Sequence, residues 1–266
     1  MKNDPGSEPA PDTAIIRVID LQRAVGLLTR LPVPLPDNPR ASARAAWAYP
    51  VAGIIPGALA ALIGSLAMTL GLGAAIAALL ALASSIIVTG ALHEDGLADC
   101  ADGFWGGWTP ERRLEIMRDS RIGTYGVLAL VLCVGLRWAA LLALFDAGLA
   151  IAALLSAAVL SRAVMPALMS LMPPARPGGL SHHVGRPPLV ATGLAIGLAA
   201  TLSVLFLNGE APAAILAAGL VGLAVATLAQ AKIGGQSGDV LGAAQQITEV
   251  TILVVLVARS AAFQGI

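Results

Sequence analysis

Long runs without a charged side chain constrain this chain more than any other feature. Residues 47–69, 73–92, 188–207 and 212–231 hold no Asp, Glu, Lys or Arg, and 124–145, 149–170 and 247–264 hold at most two each. About 20 predominantly apolar residues make a helix that crosses a ~30 Å hydrocarbon core. There the backbone satisfies its own polar groups only as a helix or a closed barrel. The expected fold is all-α: a polytopic integral membrane helical bundle of about seven transmembrane helices, with interfacial helices beside it. A large soluble bundle fits poorly, because only 12% of the residues are charged, about half the usual fraction. Trp47 and Tyr49 open the first run, where aromatic rings favour the headgroup level.

The rest of the chain is read around these runs. Residues 1–14 are polar and Pro-rich and read as a disordered tail with no cleavable signal. Residues 15–266 then form a single membrane-embedded catalytic domain. Residues 15–31 mix Arg17, Asp20, Arg23 and Arg30 with apolar residues at near-helical spacing, as in a helix lying in the interface. "PVPLPDNPR" after it is an extended linker. Cys100 and Cys133 have neither metal-type spacing nor a disulfide pattern. Formal net charge is zero, so charge alone names no partner, and no nucleic acid is expected.

The basic residues are placed unevenly. Arg112, Arg113, Arg118 and Arg121 lie between the second and third runs, Arg176 and Arg186 between the fourth and fifth, and Lys232 between the sixth and seventh. The alternate connections, near 70–73, 146–148 and 208–212, have no Lys or Arg. Positive loops stay inside, so the N-terminus and the long loops are expected to face the cytoplasm. Nearly every chemically useful residue then lies on that side.

The acidic stretch "ALHEDGLADCADGFWGG", 91–107, follows a charge-free run directly. Asp95, Asp99 and Asp102 stand at i, i+4 and i+7, on one face of a helix. Like charges so placed repel one another. A divalent cation would relieve this, and hard carboxylate oxygens suit Mg²⁺ or Mn²⁺. His93 reads either as a structural residue or as a chemical one. Downstream, Thr109, Pro110 and Glu111 mark a helix start, with Arg112 and Arg113 suited to anionic lipid. Arg118 and Arg121 are candidates for bidentate phosphate contacts. Carboxylates holding a metal beside arginines are the combination that phosphoryl transfer requires. A third block, "KIGGQSGDVLGAAQQITE", 232–249, offers Gly234 and Gly235 as a phosphate-cradling backbone and Asp239 as a further acid. Arg162 lies inside the fourth run. It reads as a phosphate-binding residue by default, with pairing to Glu249 as the alternative. The loop 175–187 reads equally as a substrate gate or a plain basic connection.

"LHEDGLADCADGFWGG", "ERRLEIMRDSRIGTYGVLAL" and "GGQSGDVLGA", with "LLTRLPVP" and "YPVAGIIPG" earlier, resemble the cobalamin synthase (adenosylcobinamide-GDP ribazoletransferase) family. The resemblance runs in order from about residue 20 to the C-terminus. It departs at Glu94, where an apolar residue is expected, and at Cys100, where a small polar one is. It implies transfer of α-ribazole, or its 5′-phosphate, onto adenosylcobinamide-GDP, giving adenosylcobalamin or its phosphate and GMP. It also implies Mg²⁺ dependence and a bacterial inner-membrane location. A homo-oligomer, or association with other cobalamin-pathway enzymes, is compatible with it. On this reading Asp95, Asp99 and Asp102 hold the metal, Asp239 completes its shell or assists deprotonation, and Arg118, Arg121 and Arg162 bind phosphate. A CDP-alcohol phosphotransferase would require Ala and Arg where Asp99 and Cys100 stand. A cation transporter would place its acids near mid-membrane, not at the end of a run.

Overall fold

The computed structural model describes residues 16–34 and 43–263. The expected tail, 1–14, lies outside the described residues, as does most of the linker after residue 34. The described residues form α1 (Val18–Leu28), α2 (Tyr49–Thr69), α3 (Gly73–Thr89), α4 (Leu92–Gly106), α5 (Pro110–Ile116), α6 (Thr124–Asp146), α7 (Ala150–Leu171), α8 (Leu180–Val184), α9 (Leu189–Leu207), α10 (Ala211–Ile233) and α11 (Gly238–Phe263). Among them no strand occurs; Pro174 and Gln236 form an isolated bridge.

By unbroken length and apolarity, five stretches are able to cross a membrane, or six when α3 and α4, bent by 87°, are counted as one broken span. One of the five runs from Leu189 to Ile233. As a straight helix it would be about 67 Å long, twice the hydrocarbon thickness. The chain reverses instead at Asn208, whose φ is +50°. Both outer ends return to the same side. Thr192 Oγ1 donates to Pro166 O at the end of α7, and Lys232 O accepts from Arg113 of α5. The expected number of seven therefore depends on counting α9 and α10 as a hairpin and α3 as a crossing of its own.

α7 and α11 form the centre of the bundle, with 78% and 72% of their apolar windows buried, against 22% for α6. α6 turns Leu128, Val131, Leu132 and Leu136 outward, which suits a lipid-facing helix and would be costly in water. α1 is amphipathic and packs against the start of α2. There Trp47 Nε1 donates to Asp20 Oδ2 at 3.1 Å and Arg23 pairs with Asp20.

Two expectations need correction. The last span starts at Gly238, not 247, because Gln245, Gln246 and Glu249 find partners inside the bundle and need no loop. The second run does not continue straight into the acidic stretch. Gly90 and Ala91 both take left-handed backbone conformations (φ +65° and +55°), and α4 leaves α3 at 87°. Arg30 braces this break by donating its backbone N–H to Val88 O at 2.7 Å. With four carboxylates, α4 is unsuited to hydrocarbon, and none of the five unbroken stretches includes it.

Candidate active site

α4 and α11 meet with almost no side chain between them. A Cβ at Gly96 would lie 2.7 Å from Asp239 O, and one at Gly242 would lie 3.2 Å from the backbone of His93. This contact brings the acidic stretch beside the third polar block. Asp95, exposed, and Asp239, in the first turn of α11, both line one cavity of about 120 Å³. The N-terminal end of a helix favours an acid there. Asp239 Oδ2 also accepts from Ser237 Oγ at 3.2 Å and from Arg176 Nη2 at 3.3 Å. Arg176 comes from the connection after α7 and was not among the expected site residues. Its second nitrogen donates to Leu114 O.

Asp99 is half-buried one turn beyond Asp95. Burial raises its carboxyl to about 7, with the Asp239, Asp95 and Asp102 carboxylates adding to the shift and Arg176 opposing it. Asp102 is buried and held differently. Its Oδ2 accepts from Gly123 N at 2.7 Å and its Oδ1 from Gly126 N at 2.8 Å. It thereby satisfies two of the orphan donors at the start of α6. The three aspartates share a helix, but of the three only Asp95 shares a cavity with Asp239, while Asp99 feels the Asp239 charge from beside it.

The other expected residues are distributed more widely. Arg121 is exposed and forks onto Asp119, Nη2 to Oδ2 at 2.7 Å, which holds Asp119 down at about 2. It lines a separate surface hollow with Asp102. Arg118 is exposed nearby. Gly234 ends α10 in the left-handed region, φ +74°. At Gly235 a Cβ would meet Pro173 O at 2.3 Å. The close approach lets Gln236 N donate to Pro173 O and Ala175 N to Gln236 O, both at 2.8 Å. These two glycines thus pin the segment that carries Arg176 to the start of α11. His182 and His183 are exposed and stack edge-on against each other.

Arg162 lies elsewhere, in a buried cluster inside the bundle. It donates to Ala158 O at 3.1 Å and sits 3.9 Å from Glu249 Oε2. Arg137 is the hub of this cluster. Its Nη1 donates to Glu94 Oε1 at 3.0 Å and to Gln246 Oε1 at 2.9 Å, and its Nη2 donates to Glu249. Gln245 joins Glu249 to Ser161. Glu94, the departure noted in the acidic stretch, has its reason here as a partner of Arg137. His93 separates the two regions. It lines both the cavity and the cluster, and its Nε2 is buried with no protein partner.

The donor set at the mouth is hard oxygen, with more negative than positive charge. Among the described residues no three His, Cys, Asp or Glu side chains are grouped to hold a metal ion. Mg²⁺ does not need three: it is usually bound by one or two carboxylates, with waters and substrate phosphates completing its shell. Asp95 and Asp239, which line the same cavity, fit that pattern.

The family model described as cobalamin-5-phosphate synthase matches residues 20–257. A protein of Bradyrhizobium diazoefficiens named adenosylcobinamide-GDP ribazoletransferase is 50% identical over 261 residues, covering 96% of this chain and 98% of that protein. Proteins of the same name from Mesorhizobium japonicum and Brucella anthropi are 44% and 45% identical, covering 89% and 90% of this chain and 92% and 96% of theirs. No solved structure matches.

Proposed function

The chain belongs to the cobalamin-5-phosphate synthase family, and from that premise we propose that it is an adenosylcobinamide-GDP ribazoletransferase whose chemistry takes place at the Asp95–Asp239 mouth. The observation that carries the assignment of place is the cavity itself. The acidic stretch, the glycine-rich block and Arg176 come from three separate parts of the chain and converge on one opening. The acceptor is α-ribazole or its 5′-phosphate.

A ribazole hydroxyl attacks the phosphorus bonded to the cobinamide side. A new O–P bond forms, the bond to the bridging oxygen of the diphosphate breaks, and GMP leaves. Asp239, held by Arg176 and Ser237, is placed to take the hydroxyl proton. Arg176 also neutralises phosphate charge at the mouth, and Arg118 and Arg121 supply further positive charge around the approach. Arg162 acts from inside the bundle, by holding Glu249. Asp95 and Asp239 would hold Mg²⁺, with Asp99 adding negative charge one turn away and Asp102 keeping α6 in register beside them. When bound, the ion supplies Lewis-acid stabilisation of the phosphate oxygens. We place the polar end on the cytoplasmic side of a bacterial inner membrane, following the distribution of Arg and Lys.

The test is turnover by purified protein in lipid, given adenosylcobinamide-GDP and α-ribazole with and without Mg²⁺. GMP and the corrinoid product are detected by mass. Mg²⁺-dependent product that is lost in Asp95→Asn supports the reading. Failure of folded protein to form product overturns it.

A further inference from the structure

The cavity behind the mouth has a second chemistry that the phosphates do not use. Beyond Asp95, Asp239 and Arg176 its wall is built mainly from leucine and methionine side chains, Leu28, Leu92, Leu241, Met165 and Met169 among them, with Tyr49, His93 and Ser181 as its polar members. On the α4–α11 side the lining includes Gly96, Gly238 and Gly242, which leave a slot free of side chains. Apolar walls with a few convergent polar groups at one end characterise a small-molecule site.

Three organic groups meet at the reacting phosphorus, and the cavity discriminates among them. The corrin macrocycle far exceeds about 120 Å³. Guanine carries a row of donors and acceptors along its edge, and beyond the mouth the wall offers only Tyr49, His93 and Ser181 among seven aliphatic or thioether side chains, so part of that row would be buried without partners. The base of the acceptor nucleoside is a fused bicyclic aromatic, mostly carbon and without an N–H once joined to ribose. It suits the size and the apolarity together. Methionines pack adaptably against aromatic faces, and their sulfur contacts add to the attraction.

We propose that this cavity is the acceptor-base subsite: it seats the aromatic base of the ribazole, presents the ribose hydroxyl to Asp95 and Asp239, and sets the tolerated base size through Met165 and Met169. The inference rests on the transferase reading above. α1 and α8 contribute Leu27, Leu28 and Val184, so two of the short helices outside the crossing bundle serve base recognition.

Steady-state kinetics in lipid nanodiscs test it, with α-ribosides of benzimidazole, 5,6-dimethylbenzimidazole and a larger naphth-fused imidazole. Met169→Phe narrows the slot. It should raise KM for the dimethyl base by about 10-fold or more, because one methylene of misfit in an apolar pocket carries that much discrimination. KM for benzimidazole should rise less, and KM for adenosylcobinamide-GDP should stay within about twofold. Met169→Ala should shift preference toward the naphth-fused base, and it carries the test if the Phe variant does not fold. Equal rises in both substrates' KM, or base preference unchanged in a folded Met169→Ala protein, overturn the subsite while leaving the transferase reading intact. Wild-type protein that converts none of the three nucleosides overturns both.

Discussion

Two polar regions are built from the same pair of helices, and they are balanced in opposite ways. Glu94 and Asp95 are neighbours in sequence, yet Glu94 turns into the bundle and Asp95 turns out to the cavity. On α11, Asp239 serves the mouth and Gln245, Gln246 and Glu249 serve the interior. Inside, two acids face two arginines, Arg137 and Arg162. A charge buried without a partner is expensive, so this cluster carries its own counter-charge. At the mouth, Asp95, Asp99 and Asp239 are set against Arg176 among the described residues. That excess is stable only where solvent, a cation or a cationic ligand can reach it. The interior cluster is a finished structure; the mouth is completed by what binds there.

This contrast can be broken most severely at its hub. Arg137→Met should strand Glu94 and Glu249, lowering stability by about 3–5 kcal/mol, read as a large drop in melting temperature in detergent. If the melt does not move, the interior cluster is not the structural element described. Next is Asp239→Asn, which should cut turnover about 10²–10⁴-fold while the melting temperature changes little, since the lost pairing with Arg176 is offset by relief of repulsion from the neighbouring acids. A parallel loss of stability would place Asp239 with the interior group. Asp102→Asn sharpens the boundary. It leaves at least one α6 N–H without its carboxylate acceptor and should cost about 1.5–3 kcal/mol, whereas Asp95→Asn should not destabilise. The smallest effect is expected at Asp119→Asn. Its ion pair with Arg121 is exposed, and surface pairs contribute little, so the melt should be unchanged. Whatever the wild-type pair contributes is fully present above the ordinary carboxylate range and is lost as pH falls through about 2. Titration between pH 4 and 8 should leave the Asp119 carboxylate resonance still.

Much of this was legible in the chain, for identifiable reasons. The apolar runs gave most long helices to within a few residues, because hydrocarbon imposes one requirement throughout, but the last began nine residues earlier than its run. The start of α5 was legible because Thr109 Oγ1 accepts from Arg112 N, a contact made within four residues. The turn at Ala91 was not legible, because alanine carries no signal for a left-handed backbone and the break is imposed by packing. Arg176 was passed over because its partner lies 63 residues away. Arg137 reads as a structural charge in an apolar run, but its network was not legible, because its acids lie 43 and 112 residues away. Asp102 matched the spacing of a metal ligand, and nothing local revealed that α6 would draw on its carboxylate.

The sequence separations within the interior cluster also order events during synthesis. Arg137 lies 43 residues after Glu94 but 112 residues before Glu249. When α7 has entered the membrane, two cations are already present and only one acid. Neutrality waits for α11, the last described helix. A chain stopped before it would present an unbalanced arginine to lipid, at a cost of a few kcal/mol. Charge balance thus marks completion: a nascent chain becomes electrically acceptable to the bilayer interior only once the helix that also delivers Asp239 has arrived.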